Sequence, residues 1–321
     1  MLPSLSRRHG LAFGLAALIA ALAPAQAGFA AETALAPEVL ALSPDQPGAP
    51  HTAANAAAIA ALPKDFAFVT PGKLTVAVSA FAPPLAVQAS DARTLIGADP
   101  EIARLVAEAL GLELELIAVA WPDWPLGVTS GKYDAVISNV GVTEERKEKY
   151  DFATYRQGVH GFYVPLDSPI QSLAEPKDIA GLKIITGSGA IQERILLEWN
   201  RLNTEAGLAP AELLFFDDDA AETLALLSGR ADANFNPNGT QAWNATVTGK
   251  TRRVGLISAG WPNLAEVGVV TKKGNGLSPA LVIALNGIIA DGSYAQVLTR
   301  WGLTEEAVPE SRENPPGLPK F

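Results

Sequence analysis

Apolar and polar positions along the chain switch between two periods. Leu74-Thr75-Val76-Ala77-Val78 is an apolar run of strand length, and Pro83-Pro84 in the loop beyond it cannot continue a strand. The period then lengthens. Ile102, Leu105, Val106, Ala109 and Leu110 recur at three- and four-residue spacing, which makes one buried helical face, and Gly111 closes it. Asp99-Pro100-Glu101 offers an N-cap, a first-turn proline and an acid at the start of that helix. Residues 112–119 return to strand character, so strand, helix and strand predict a βαβ unit on a parallel sheet.

A second block repeats the alternation. Residues 161–165 and 182–186 read as strands, and Ser188-Gly189-Ala190 leads into a helix with Ile191, Ile195 and Trp199 on one face. Such a glycine-containing strand-to-helix turn exposes N–H groups and is a candidate anion site. Asp217-Asp218-Asp219 resembles a metal cluster, but Asp219 with Glu222 fits a capping box ahead of Leu224 and Leu227, and no calcium-loop spacing follows. Gly229 ends that helix, and residues 231–235 and 267–271 are further strands. Ser278-Pro279 caps a last major helix carrying Leu281, Val282, Leu285, Ile288 and Ile289, and Gly292-Ser293 starts a short one.

The ends of the chain lack this order. Residues 1–27 read as an export signal, with Arg7 and Arg8, an apolar core and the small-residue site Ala25-Gln26-Ala27; Ser6-Arg7-Arg8 resembles a twin-arginine signal. Residues 28–71 are rich in Ala and Pro and are expected to form a tether with one short helix near 53–62. The Pro-rich residues 305–321 are expected to be a loose tail.

Composition narrows the functional classes. A chain of 321 residues with 48% hydrophobic and 18% charged residues has the composition of a globular protein with room for one large or two medium domains. Its formal net charge of -10, without any basic run, argues against a nucleic-acid or anionic-membrane surface. There are no cysteines, which removes disulfides, thiol catalysis, Cys-zinc sites and a lipid-modified N-terminal Cys. His51 and His160 are the only histidines beyond the signal, with no H-E-x-x-H, and no G-x-S-x-G elbow occurs. Neither a metal centre nor another cofactor is expected.

The most informative chemistry lies at residues 134–152. Val136, Ile137 and Val140 give a short buried strand, Thr143 caps the helix that follows, and Arg146 falls at its third position. A cation there opposes the helix dipole, and either a surface acid or a bound anion would relieve it. Trp121-Pro122-Asp123-Trp124 sits just past the end of a parallel strand, where open α/β sheets bind ligands, although core packing would also suit either indole.

Several motifs occur in order over roughly residues 72–302 and resemble the family 3 extracytoplasmic solute-binding proteins of ABC importers, the polar amino acid type. They are Gly72-Lys73-Leu74-Thr75-Val76, Pro83-Pro84, Ser130-Gly131-Lys132-Tyr133-Asp134-Ala135, Thr143-Glu144-Glu145-Arg146 with Tyr150-Asp151-Phe152, Gly229-Arg230-Ala231-Asp232-Ala233 and Ala290-Asp291-Gly292-Ser293-Tyr294. The resemblance implies an α/β two-lobe periplasmic-binding-protein fold, each lobe a mainly parallel sheet flanked by helices, joined by a two-stranded hinge. Residues 72–158 and 266–304 would form lobe 1 and residues 159–265 lobe 2, with crossings near 157–160 and 259–266. It also implies a monomeric periplasmic protein without a membrane anchor that captures a small carboxylate-bearing ligand and delivers it to an inner-membrane ABC permease. An enzyme on the same fold, such as a periplasmic cyclohexadienyl dehydratase with Glu266 as proton donor, and a ligand-sensing protein are the competing expectations.

Carried over residue by residue, the resemblance makes Arg146 the fork that holds the ligand carboxylate, lines the same pocket with Ser138, Asn139 and Gly141, and packs Trp121 on the ligand side chain. Phe81, Ala190, Ile191 and Asn236 complete the expected pocket. The chain departs from the family pattern at four points: the acid that meets the ligand ammonium falls on Pro237, a hydroxyl is missing at Gly141, the second-lobe Thr is Ile191, and the aromatic before Pro-Pro is Ala82, beside Phe81. A buried ammonium without acceptors is costly, so either Glu266 supplies the lost carboxylate or the ligand carries no amine there.

Overall fold

The computed structural model describes residues 35–80, 82–216 and 219–319. The export signal, Phe81, Asp217 and Asp218 lie outside them. Two short helices, α1 (Pro37–Leu40) and α2 (Ala56–Ala60), precede the first strand, β1 (Lys73–Val78). A small hairpin, β2 (Val87–Gln88) with β3 (Leu95–Ile96), leads into α3 (Ala98–Ala109) and then β4 (Glu113–Ala118). Next come α4 (Trp124–Ser130), β5 (Ala135–Val136), the one-turn α5 (Glu144–Lys147) and β6 (Tyr150–Gln157). These are followed by β7 (Val159–Pro165), β8 (Lys183–Ile185), α6 (Ile191–Glu205), β9 (Glu212–Leu214), α7 (Asp219–Leu227), β10 (Ala233–Pro237), α8 (Asn238–Thr248) and β11 (Thr251–Ser258). The chain finishes with β12 (Glu266–Lys272), α9 (Ser278–Ala290) and α10 (Ser293–Arg300).

Two five-stranded sheets result, ordered β4-β1-β5-β12-β6 and β11-β7-β10-β8-β9. The first contains the expected βαβ unit, with β1 parallel to both β4 and β5. In the second, β10, β8 and β9 are parallel. The strands that carry the chain between sheets run the other way: β12 is antiparallel to β5 and β6, and β7 to β10 and β11. A chain that leaves one sheet and later returns beside its point of exit must reverse, so each sheet is mixed, with parallel pairing confined to the three strands from one edge to the centre. The first crossing lies between Gln157 and Val159 and the second between Ser258 and Glu266, and a hydrogen bond from Gly158 N–H to the Ala265 carbonyl (3.0 Å) ties them together.

Each sheet buries its own core. Leu74, Val76, Ile102, Leu105, Leu281, Leu285 and Trp301 pack around the first; Phe162, Ile184, Leu196, Trp199 and Phe235 pack around the second. Phe235 stacks on Phe162 with ring centroids 4.1 Å apart. Among the described residues, no single helix is long and apolar enough to cross a membrane.

Both terminal segments differ from expectation. The 28–71 stretch is not a free tether over its described part: Val39 and Ala58 are fully buried in the first core. Asn55 caps α2 by accepting from the Ala57 and Ala58 N–H groups, and the largely buried Arg300 donates to Glu38 (3.0 Å) and Glu101 (3.3 Å). The 305–321 tail is not loose either. Its residues bridge β6 at Ala153↔Glu313 and the cap of α5 at Thr143↔Leu318, and Glu306 and Leu318 are buried. Proline suppresses regular structure, but it does not prevent docking on a preformed surface. Two caps shift as well. The helix α3 starts at Ala98 after Gly97, so Asp99 is turned inward, and α9 starts at Ser278 itself, whose hydroxyl donates to Glu313 (2.6 Å).

Candidate functional site

A cavity of about 790 Å³ opens between the two sheets at the crossings. It is lined by the segments that follow β1, β4 and β5, by the first turn of α6 and by the end of β10. Arg146, Trp121, Ser138, Asn139, Gly141, Ala190, Ile191, Asn236 and Glu266 all line it, so nine of the ten expected pocket residues meet in one space. The tenth, Phe81, falls outside the described residues.

The first wall is built on backbone geometry. Ser138 Oγ accepts from Ser79 N–H (2.9 Å), joining the loops after β5 and β1. Asn139 adopts a left-handed φ of 52°, donates its N–H to Tyr155 Oη (3.2 Å) and accepts from Arg156 at Oδ1 (2.6 Å). Thr143 Oγ1 accepts from Arg146 N–H (3.0 Å), as expected of the cap, but the helix it starts is four residues long, so the helix dipole is a small part of Arg146's situation. More important are two indoles. The guanidinium lies 5.9 Å from the ring centre of Trp121 and 5.7 Å from that of Trp124, and one arm donates to the Gly141 carbonyl (2.9 Å). No ion pair with a carboxylate of the described residues neutralises it. Desolvation, followed by the charge of Arg194 across the cleft, holds its pKa below the ordinary arginine value.

The second wall comes from α6, α7 and β10. Ile191 reaches over the first wall: a Cβ placed at Gly141 would lie 3.1 Å from Ile191 Cδ1 and 3.8 Å from Arg146 Nη1. A side chain at 141 would therefore require the Ile191 methyl to give way by a few tenths of an ångström. Asn236 donates to Asn234 (3.0 Å) and Glu222 (3.4 Å), Asn234 donates to Glu222 (3.1 Å), and Gln192 donates to Asn236 (3.0 Å). Glu222 lines the cleft and accepts from this amide cluster; the Asp219 side chain, the other half of the capping box read from the sequence, is outside the described part. Pro237, in place of the family's acid, contributes only hydrocarbon to this wall.

Glu266 reaches the cleft, but it is already paired. Its Oε1 accepts from the Arg312 guanidinium of the tail, while Oε2 is buried without a hydrogen-bond partner among the described residues. Deeper still, Arg156 and Glu306 form an ion pair with side chains 3% and 2% exposed, again between a strand and the tail. Asp99 Oδ1 accepts from Tyr155 Oη (2.8 Å), and burial pushes the Asp99 carboxyl above its ordinary range while the Arg156 charge opposes that rise. Sequence reasoning missed Asp99, Arg156, Glu306, Glu222, Gln192, Arg194 and His160. One signal was present: Arg156 is a charged residue inside the strand Tyr150–Gln157, where it is flanked by buried positions and so demands a partner. Among the described residues, no group of three or more His, Cys, Asp or Glu side chains is placed to hold a metal ion.

With this geometry in view, residues 74–304 match the profile of the bacterial extracellular solute-binding proteins, family 3. The chain belongs to this family. The match covers both sheets and both crossings of this solute-binding protein and leaves the described N-terminal segment and the tail outside. It is similar to the L-cystine-binding protein TcyJ of Escherichia coli (strain K12), 28% identical over 235 residues, covering 72% of this chain and 82% of that one. It is also similar to the arginine-binding protein ArgT of Corynebacterium glutamicum, 26% identical over 250 residues, covering 76% and 78%. Among solved structures, an ancestral arginine-binding protein bound to arginine superposes with a TM-score of 0.58 at 26% identity, covering 72% of this chain and 98% of that one. The two-lobe α/β fold implied by the sequence motifs is thereby shown.

Proposed function

We propose that the cleft captures a small carboxylate-bearing ligand, an amino acid or a compound derived from one, and that hinge closure then presents the loaded protein to an inner-membrane ABC permease. One observation carries this reading: the Arg146 guanidinium, desolvated between Trp121 and Trp124 and facing Arg194, has no carboxylate partner in the described protein. A ligand carboxylate supplies that partner, in the fork geometry that makes arginine–carboxylate pairs strong. The ligand then touches Arg146, Trp121, Ser138, Asn139 and Gly141 on lobe 1 (72–158 and 266–304), with Ala190, Ile191 and Asn236 on lobe 2 (159–265). Contact with both lobes favours the closed state and so couples binding to closure.

The names of the relatives, cystine- and arginine-binding, fit a receptor of this class, and our reading has it act as a monomer in the periplasm. The dehydratase alternative is weaker, because Glu266, its candidate proton donor, is held as the partner of Arg312. Glu266 is for the same reason a poor substitute for the acid missing at Pro237. Isothermal calorimetry tests the proposal. For any carboxylate bound by the wild type, Arg146→Gln weakens affinity roughly 100-fold, about 2.7 kcal/mol. Affinity retained within threefold overturns the assignment.

A further inference from the structure

The tail bonds to both lobes. Its described residues, 305–319, lie beyond the family match and run along β6, the edge strand of the first sheet. Most of their hydrogen bonds go to lobe 1. Thr154 N–H donates to the Arg312 carbonyl (3.0 Å), Arg312 N–H to Thr154 Oγ1 (3.0 Å) and Asn314 N–H to the Phe152 carbonyl (3.0 Å). Farther on, the tail reaches the turn that carries Arg146: Leu318 N–H donates to the Val142 carbonyl (3.1 Å) and Glu144 N–H to the Leu318 carbonyl (2.9 Å). Gly317 comes so close that a Cβ there would lie 2.9 Å from Thr143 Cα.

The two ends of the tail also hold lobe 2. At one end Glu305 accepts from both arms of Arg253 on β11, at 2.6 and 3.1 Å. This hold continues a contact made by α8, whose Trp243 stacks 6.4 Å from Trp301. At the other end Leu318, 5% exposed, clusters with Ala259 and Ala265 of the second crossing, and Ile191 at the start of α6 packs against that cluster. Ile191 is also the lobe 2 side chain that stands over Gly141 beside Arg146. A segment that merely covered a sheet edge would need neither end. Swinging lobe 2 away while the tail stays bonded to β6 works against both. The exposed ion pair is the weaker hold, and the buried apolar cluster is the stronger.

We infer that the tail is a positioning strap for the cleft: anchored on lobe 1, it grips lobe 2 at Arg253 and beside Ile191 and keeps the two lobes together before a ligand arrives. The inference concerns the hinge and does not depend on what the ligand is. Its consequence is for binding. Apparent affinity is reduced by whatever fraction of molecules lies outside the binding-competent arrangement, and the strap keeps that fraction small.

The chain has no cysteine, so Leu126→Cys on α4 and Leu224→Cys on α7, at positions 76% and 63% exposed, place one spin label on each lobe. Double electron–electron resonance on this labelled protein without ligand gives one population of inter-label distances, at the separation seen in the structure. Glu305→Gln combined with Leu318→Ala adds a longer population that holds about half of the molecules or more. Each change alone adds a smaller one, so the test does not hang on the double variant folding. Leu318→Met, which keeps the apolar bulk, retains the single population. Melting of the same variants by circular dichroism separates a strap from a merely structural tail: a lower melting temperature with an unchanged distance distribution overturns the inference. It is equally overturned if the protein with its tail intact already populates the longer distance. No ligand enters the measurement, so a failure here leaves the carboxylate reading standing, and loss of that reading leaves this result unaffected.

Discussion

Glu306→Ala is the perturbation that best probes how the cleft is assembled. Glu306 comes from the tail, two residues beyond the family match, and its carboxylate is the ion-pair partner of Arg156 on β6. Both side chains are almost wholly buried, and removing one member of such a pair strands the other charge at a typical cost of about 3–5 kcal/mol. Arg156 retains the Asn139 Oδ1 acceptor at 2.6 Å and the Tyr155 ring at 5.8 Å, and Asp99 lies near enough to feel its charge. These residual contacts place the expected loss at the lower end, about 3 kcal/mol. An unfolding entropy of about 2.1 cal/mol/K per residue gives roughly 0.6 kcal/mol per degree for a chain of this size, so the melting temperature falls by about 5 °C. Circular dichroism melting of the unliganded protein reads this directly. The double change Arg156→Met with Glu306→Leu recovers most of the loss, because it leaves no buried charge. A Glu306→Ala midpoint within about 1 °C of wild type would refute the reasoning, since it would mean that the charge on Arg156 is solvated without the tail.

Two further outcomes follow from the same structure. Glu305 accepts from Arg253 at 2.6 and 3.1 Å, and this hydrogen bond, against an opposing desolvation, holds its carboxyl below the ordinary glutamate range. The folded protein then binds fewer protons than the unfolded one below about pH 4.3, so the contribution is full above that value and is lost as pH falls through the lowered folded pKa. Glu305→Gln flattens the acid limb of a stability-against-pH curve, by no more than about 1 kcal/mol for so exposed a pair, and an unchanged limb counts against it. Gly97 has φ 135°, and a Cβ there would lie 2.3 Å from the Leu85 carbonyl oxygen. Gly97→Ala therefore costs at least about 2 kcal/mol in urea unfolding, and a silent substitution would show that the hairpin moves aside.

Regular structure was legible where burial follows a period. The strand Lys73–Val78, the α3 face and the Thr143 cap came directly from residue spacing, and the ordered motifs located the two crossings. Three kinds of information were not local. Val39 and Ala58 are buried without any periodic pattern, because an irregular segment can dock using single side chains. Asp99 looks identical in sequence whether it caps a helix or turns inward to Tyr155, and a two-residue shift in the helix start decides between them. Glu222, Arg156 and Glu306 acquire their roles from partners 12 to 150 residues away. A single sequence holds both members of such a pair but not their meeting.

The pair of indoles flanking Arg146 has a consequence for observing this protein. Trp121 and Trp124 lie edge-on to one another, 6.0 Å apart, beside the guanidinium proposed to meet the ligand, whereas Trp199 and Trp301 are fully buried in the separate cores of the two lobes. A carboxylate arriving on Arg146, as proposed, would change the electric field at the first two rings directly and reach the second two only through their neighbours, Trp261 beside Trp199 and Trp243 beside Trp301. The proposed binding site thus carries its own optical sensor, and tryptophan emission from unlabelled protein is expected to report its occupancy.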